Sequence, residues 1–185
     1  MNDMQIESKF AAETPRSLAV EMKFELLVIP VADVDRAKRF YSDLGWRLDI
    51  DFVSGEDYRV VQFTPPGSES SVMFGKNITA ARPGSAEGMH LIVGDIEAAR
   101  KDLLRRGIEV SEPFHDLGGV FHHSNGEGIA AGPNPQRKSY ASYATFSDPD
   151  GNRWQIQEIT ARLPGKHGDT SFTDQLSKAI WGVAR

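Results

Sequence analysis

His90 is the side chain of this sequence best suited to moving a proton or holding a ligand. It lies in the strand-like run Gly88 to Val93, two residues past Gly88, so alternation puts both on one face. An imidazole titrates near neutrality and can transfer a proton or accept a hydrogen bond. A buried histidine satisfied by a nearby hydroxyl or carbonyl is the competing reading. Gln155 and Gln157 share one face of another run, Arg153 to Ile159, and suit either an uncharged polar ligand or cross-strand pairing. Glu158 and Glu25 are tempting acids, but the parity of each turns it away from that face. His115, His122 and His123, with Glu127, occupy a Gly-rich stretch that reads as a metal loop or as a solvated lid. Arg137 and Lys138 follow it, as solvated cations or as an attractor for an anionic group. Tyr58, Phe63, Tyr140 and Phe146 suit a ligand cup or the core.

The elements that must position these residues are legible from punctuation. Asp148-Pro149-Asp150-Gly151-Asn152 is a turn: Pro149 presets φ, Gly151 supplies a positive φ, and the Asp and Asn side chains bond back to the backbone. Strand-like runs flank it, Tyr140 to Phe146 and Arg153 to Ile159, which predicts a hairpin. Upstream, Phe24 to Val31 reads as a buried strand. Asp33 then caps a helix whose apolar stripe is Val34, Ala37, Phe40, Tyr41 and Leu44, and Gly45 ends it. Trp46, Leu48, Ile50 and Phe52 alternate against Arg47, Asp49 and Asp51, as in a strand with one apolar face. Tyr58 to Thr64 and Ser71 to Gly75 complete βαβββ. The pattern then repeats from Gly88, with Asp95 as cap, Ile96, Ala99 and Leu103 as stripe, Gly107 as stop, and Ile108 to Val110 as the next strand. Val31 and Val93, Asp33 and Asp95, Gly45 and Gly107 each stand 62 residues apart, which marks an internal duplication.

The expected organisation is a mobile extension over 1–21, a domain over 22–160 and a tail over 161–185. The domain divides into modules over 22–76 and 86–160, the second with a long loop at 113–138. In the tail Phe172, Leu176, Ala179, Ile180 and Val183 form an amphipathic helical stripe. Bulk composition excludes several functions. A net charge of −5 leaves no basic footprint for nucleic acid or an anionic membrane surface, and no apolar run is long enough to span a bilayer. The absence of cysteine removes disulfides, thiolate ligands and Cys nucleophiles, and fits a cytoplasmic protein. Neither a phosphate-binding glycine loop nor a Gly-x-Ser-x-Gly elbow is present.

With its duplicated βαβββ, its Asp-capped helices and the segment Phe146 to Glu158, the chain resembles the vicinal oxygen chelate superfamily over Lys23 to Thr160. That group includes glyoxalase I, bleomycin-resistance proteins and extradiol dioxygenases. The resemblance implies an α+β fold: two tandem βαβββ modules forming a curved, mainly antiparallel, barrel-like sheet with helices outside and a small-molecule cup within. Enzymes of the family hold a divalent metal there. The matching positions are Leu26, the neighbourhood of Met73, Gly88 and Gln155, none of them His or carboxylate. The resemblance therefore implies a cup lined by Leu26, Val28, Gly88, His90, Gln155, Gln157, Tyr140, His122 and His123, with no metal and no cofactor. Its expected partner is a small organic molecule, bound by a homodimer, with sequestration or metal-free catalysis through His90 as the activity. The alternative is a metal-dependent lyase, isomerase or dioxygenase whose ligands have moved to His90, the loop histidines or Glu158.

Overall fold

The computed structural model describes residues 22–118, 126–163 and 178. The 1–21 extension, His122, His123 and the stripe of the tail helix lie outside them.

The first module runs β1 (Leu26–Val28), α1 (Val34–Asp43), β2 (Arg47–Ser54), β3 (Tyr58–Thr64) and β4 (Ser71–Lys76). The second runs β5 (Met89–Val93), α2 (Ile96–Arg105), β6 (Phe114–Asp116), β7 (Ile129–Ala131), β8 (Ser142–Ser147) and β9 (Arg153–Glu158). The strands form a four-stranded sheet, β1-β4-β3-β2, and a five-stranded sheet, β5-β9-β8-β6-β7. Each opens with a parallel pair, β1 with β4 and β5 with β9, and is otherwise antiparallel. The α+β class and the two modules are those the duplication implies. Both helices carry the expected caps: Asp33 accepts from the Arg36 amide, and Asp95 from the amides of Glu97 and Ala98. Gly45 and Gly107 follow them in the left-handed region.

The second module departs from expectation at one strand. Ile108 to Val110 contributes only a bridge between Val110 and Phe146. Ser111 donates its amide to the Thr145 carbonyl but offers its hydroxyl, not its backbone, as acceptor to the Thr145 amide. Pro113 has no amide to donate, and the ladder resumes at β6. Strands β6 and β7 therefore come from within the 113–138 stretch, expected as a loop.

Each helix packs on one face of its sheet, and the two helix-side faces share a core. Tyr41 lies 5.1 Å from Trp46 and 5.4 Å from Phe74, and Trp46 meets Trp154 edge-on at 5.3 Å. Phe40 packs near Phe146 across the same junction. Aromatic residues of both modules thus exclude water together, so neither half buries its own face alone.

Polar groups lock this junction, and most belong to the Asp148–Asn152 turn. Asp148 accepts from the amides of Asp150 and Asn152, as a self-bonded turn should. It also accepts from the Tyr41 hydroxyl at 3.0 Å, while Trp154 donates to that same hydroxyl at 3.2 Å. Asp150 Oδ1 accepts from the Ala32 amide and from Arg36. Asn152 donates to the Pro30 carbonyl at 2.9 Å and accepts from the Ala86 amide. The turn of the second module thereby supplies hydrogen bonds to the β1–α1 connection of the first. Gly84 fits only as glycine: a Cβ there would lie 2.0 Å from the Asp150 carbonyl oxygen.

Strand β2 holds the fold's least expected feature. Arg47 pairs with Thr64 and Leu48 with Phe63, but Ile50 pairs with Gln62, so Asp49 is an extra residue in a β-bulge. The clean alternation of Trp46, Leu48, Ile50 and Phe52 is therefore cut in two. Trp46 and Leu48 turn to the helix side; Ile50 and Phe52 turn to the opposite face. Asp51 goes to the helix side, where Lys38 approaches at 2.7 Å and Arg59 donates twice, at 2.9 and 3.0 Å.

Hydrogen bonds from Arg59, then Lys38, depress the Asp51 carboxyl to a pKa of about 2. A depressed folded-state pKa means stabilisation that is complete above the ordinary carboxylate range and lost as pH falls towards 2. Denaturant midpoints measured from pH 5 to pH 2 check this. Asp51→Asn is expected to be less stable at pH 5 by about 1 kcal/mol, with the gap closing near pH 2. A gap independent of pH would contradict the assignment.

Candidate functional site

On the second sheet, the face turned away from α2 carries the polar residues singled out above. His90 stands beside Gln155 and Ile92 beside Gln157 on the parallel pair β5–β9. Tyr143 and Thr145 continue the row on β8, opposite Gln157 and Gln155. Met89, Trp154, Ile156, Ala144 and Phe146 fill the other face and the core, which is why the alternation is enforced. His90 is exposed, so the buried-histidine reading does not hold. Gln157 is already committed: its amide donates to the Tyr140 carbonyl at 2.9 Å and to the Tyr143 hydroxyl at 3.2 Å. Burial, with Asp116 nearby, pushes the Tyr143 phenol above its ordinary range, so it stays protonated at neutral pH.

Tyr140 serves the frame of this face. Its backbone is left-handed, its amide donates to the Glu158 carbonyl, and its hydroxyl accepts from the Leu163 amide. Gly88 precedes β5 and contributes backbone only. His115 is buried and contacts the Gly132 carbonyl through Nδ1 at 2.8 Å. Glu158 points away from His90, as its parity requires, and is fully buried. Its carboxylate accepts from the Ile96 amide at the start of α2 and from Arg137 at 2.7 and 3.2 Å. Arg137 also pairs with Glu97 at 2.6 Å. That settles Arg137: it is a clamp on α2 rather than a solvated cation or an anion attractor.

Leu26 and Val28 belong to the other sheet. They pair with Ser71 and Met73, on the face turned away from α1. Gln62, Val60, Tyr58, Ile50 and Phe52 continue that face across β3 and β2. The residues expected in one cup thus fall into two groups, one per hydrogen-bonded sheet. Three side chains escaped sequence reading: Asp49, Thr64 and Ser71. Thr64 donates to Asp49, contacts Ser71 at 2.7 Å, and Arg47 donates to Asp49 at 2.6 Å. The Thr64 bond, aided by Arg47, holds the Asp49 carboxyl below its usual range against the opposing effect of burial. The strand-to-strand row of short polar side chains was the available signal, but only the bulge reveals which face they share.

The donor set does not fit a divalent metal. Leu26 and Met73 share one face but offer no hard donor, Gly88 has no side chain, and Gln155 offers one neutral oxygen. Among the described residues no three of His, Cys, Asp and Glu come together as ligands. None of the described helices is long and apolar enough to cross a membrane.

The sequence model of the Glyoxalase/Bleomycin resistance protein/Dioxygenase superfamily matches residues 23–156. Among solved structures, the chain is similar to TnmS3, an antibiotic binding protein from Streptomyces sp. CB03234. The two are 26% identical over 76% of this chain and 98% of that one, with a TM-score of 0.53. A glyoxalase/bleomycin resistance protein from the same organism is 27% identical over 74% and 100%, with a TM-score of 0.51. A superfamily member from Sphaerobacter thermophilus DSM 20745 is 27% identical over 75% and 98%, with a TM-score of 0.55. No curated protein matches the chain. On the doubled βαβββ fold and a match over most of its length, the chain belongs to the glyoxalase/bleomycin resistance protein/dioxygenase superfamily.

Proposed function

We propose that the chain is a metal-independent binding protein that sequesters a small organic molecule. The observation that carries this reading is the state of the two faces turned away from the helices. Ile50, Phe52 and Tyr58 on one, and Ile92 on the other, are large apolar side chains left exposed while the core is complete without them. Beside them stand neutral polar groups, Gln155, Gln157 and Gln62, which suit an uncharged or weakly polar ligand. The similarity to an antibiotic binding protein supports the same class of partner. Proton transfer through His90 is the weaker reading, because Gln155 and Gln157 cannot titrate and Tyr143 stays protonated. The exposed apolar area also supports a homodimer, in which a second copy covers part of one face.

Titration with a panel of flat aromatic compounds, followed by recovery of the bound compound, tests the reading. Saturable binding is expected, with the compound recovered unchanged and affinity indifferent to EDTA. A His90→Ala, Gln155→Ala double variant should bind about tenfold more weakly if each side chain supplies one net hydrogen bond or less. Conversion of the recovered compound, or loss of binding on chelation, would replace sequestration by catalysis or by a metal site. Sedimentation at twice the chain mass checks the dimer.

A further inference from the structure

The polar row on the first sheet has a direction, and the direction says what it can bind. A carboxylate accepts hydrogen bonds and donates none. Thr64 therefore spends its one hydroxyl hydrogen on Asp49, and the 2.7 Å contact between Thr64 Oγ1 and Ser71 Oγ is donated by Ser71. The chain of bonds runs Ser71 to Thr64 to Asp49, across β4, β3 and β2. Each link polarises the next. What remains on Ser71 Oγ is acceptor capacity, and Asp49 likewise offers only lone pairs.

The setting is that of a built site. Thr64 and Ser71 are 4% and 6% exposed, and the Asp49 side chain is 16% exposed. On the same face Leu26, Met73 and Ile50 are apolar, and Gln62, between Met73 and Ile50, adds a side-chain bond to Asp49. Valine and alanine at 64 and 71 would cover this floor with no polar group to satisfy. Instead the bulge turns a carboxylate onto the face, and bulges recur beside binding sites because they re-aim a side chain. The partner of Asp49 that can leave is Arg47, whose side chain is largely exposed.

We propose that Ser71 and Asp49 form a donor-selective subsite that takes an O–H or N–H group of an amphipathic ligand, whose apolar body lies on Leu26, Met73 and Ile50. This deepens the binding reading above and rests on it. The ligand class is hydroxylated or amine-bearing aromatic molecules; a compound of the same shape with acceptors only is discriminated against.

Fluorescence titration with 2-naphthol and 2-methoxynaphthalene separates the possibilities, since the two share a ring system and differ in one donor. The chain is expected to prefer 2-naphthol by about tenfold, the worth of one net hydrogen bond. Ser71→Ala and Asp49→Asn should each bring the ratio to within about twofold. Ile50→Ala should weaken both probes alike and leave the ratio unchanged, which ties the ratio to the polar row. Because a ratio is read within each variant, partial unfolding does not mimic the result. Equal affinity of the native chain for both probes, or a preference that survives in both polar variants, overturns the subsite while leaving the binding protein intact. Failure of both probes to bind overturns both readings together.

Discussion

Asn152→Ala lowers the melting temperature by about 10 °C, the largest effect expected of any single truncation outside the aromatic core. Asn152 is fully buried and spends its amide on both modules: it donates to the Pro30 carbonyl and to Asp148, and accepts from the Ala86 amide. Alanine restores none of these three bonds: the Ala86 amide loses its partner, while the Pro30 carbonyl keeps only the Gly84 amide and Asp148 Oδ2 keeps only the Tyr41 hydroxyl. At about 1 kcal/mol or more for each, the sum is about 3 kcal/mol. In a chain of this length each kcal/mol moves the midpoint by about 2–4 °C. Ser147→Ala, exposed on the neighbouring strand, serves as the control and should move it by about 1 °C or less. Calorimetry on the two variants gives the answer. A shift of Asn152→Ala no larger than that of the control would mean that the modules are held by apolar contact alone, with the turn as a passive connector.

Arg137→Met is expected to destabilise the chain by about 2 kcal/mol, the cost of leaving the buried Glu158 carboxylate without its half-exposed partner. Glu158 has no exposure, and Arg137 supplies two of the bonds to its carboxylate. The loss should be largely reversed in the double variant Arg137→Met, Glu158→Gln. A neutral amide needs no counter-charge, and its oxygen can still accept from the Ile96 amide that Glu158 serves at the head of α2. Chemical denaturation of wild type, single and double variants gives the comparison. A double variant no more stable than Arg137→Met would show that the arginine acts through its other contacts, with Glu97 and Asp95, instead of through the buried carboxylate. Arg137 also adopts a left-handed backbone, φ 49°, which the clamp has to hold.

These two predictions concern residues that sequence reading treated in different ways. The turn at Asp148–Asn152 was read from local chemistry, and its internal bonds are those found. Its contacts with Pro30, Ala32 and Tyr41 were not legible, because they join positions over a hundred residues apart and depend on how two modules dock. Arg137 gave less warning still. A cation after a glycine-rich stretch is ordinarily solvated, and only a carboxylate buried by strand parity gives it a specific partner.

The face assignments divide in the same way. On β9 the alternation was sufficient, since Trp154 and Ile156 must enter the core and Gln155 and Gln157 must then leave it. On β2 it misled. Ile50 and Phe52 are apolar and would suit either face, so the sequence contains no penalty that marks the extra residue at Asp49. The bulge emerges only when the Thr64 hydroxyl, itself in contact with Ser71, comes alongside and supplies the carboxylate with a donor.

By itself, the order of residues determined the duplication, the two capped helices and the hairpin turn, because each depends on short-range stereochemistry or on residue type alone. Tertiary structure alone decided that the strands divide into two sheets, that the Asp148–Asn152 turn fastens one module to the other, and that Asp49, Thr64 and Ser71 share a face. Those outcomes rest on pairing register and on docking between distant segments, where the free energy comes from groups the chain brings together only once it has folded.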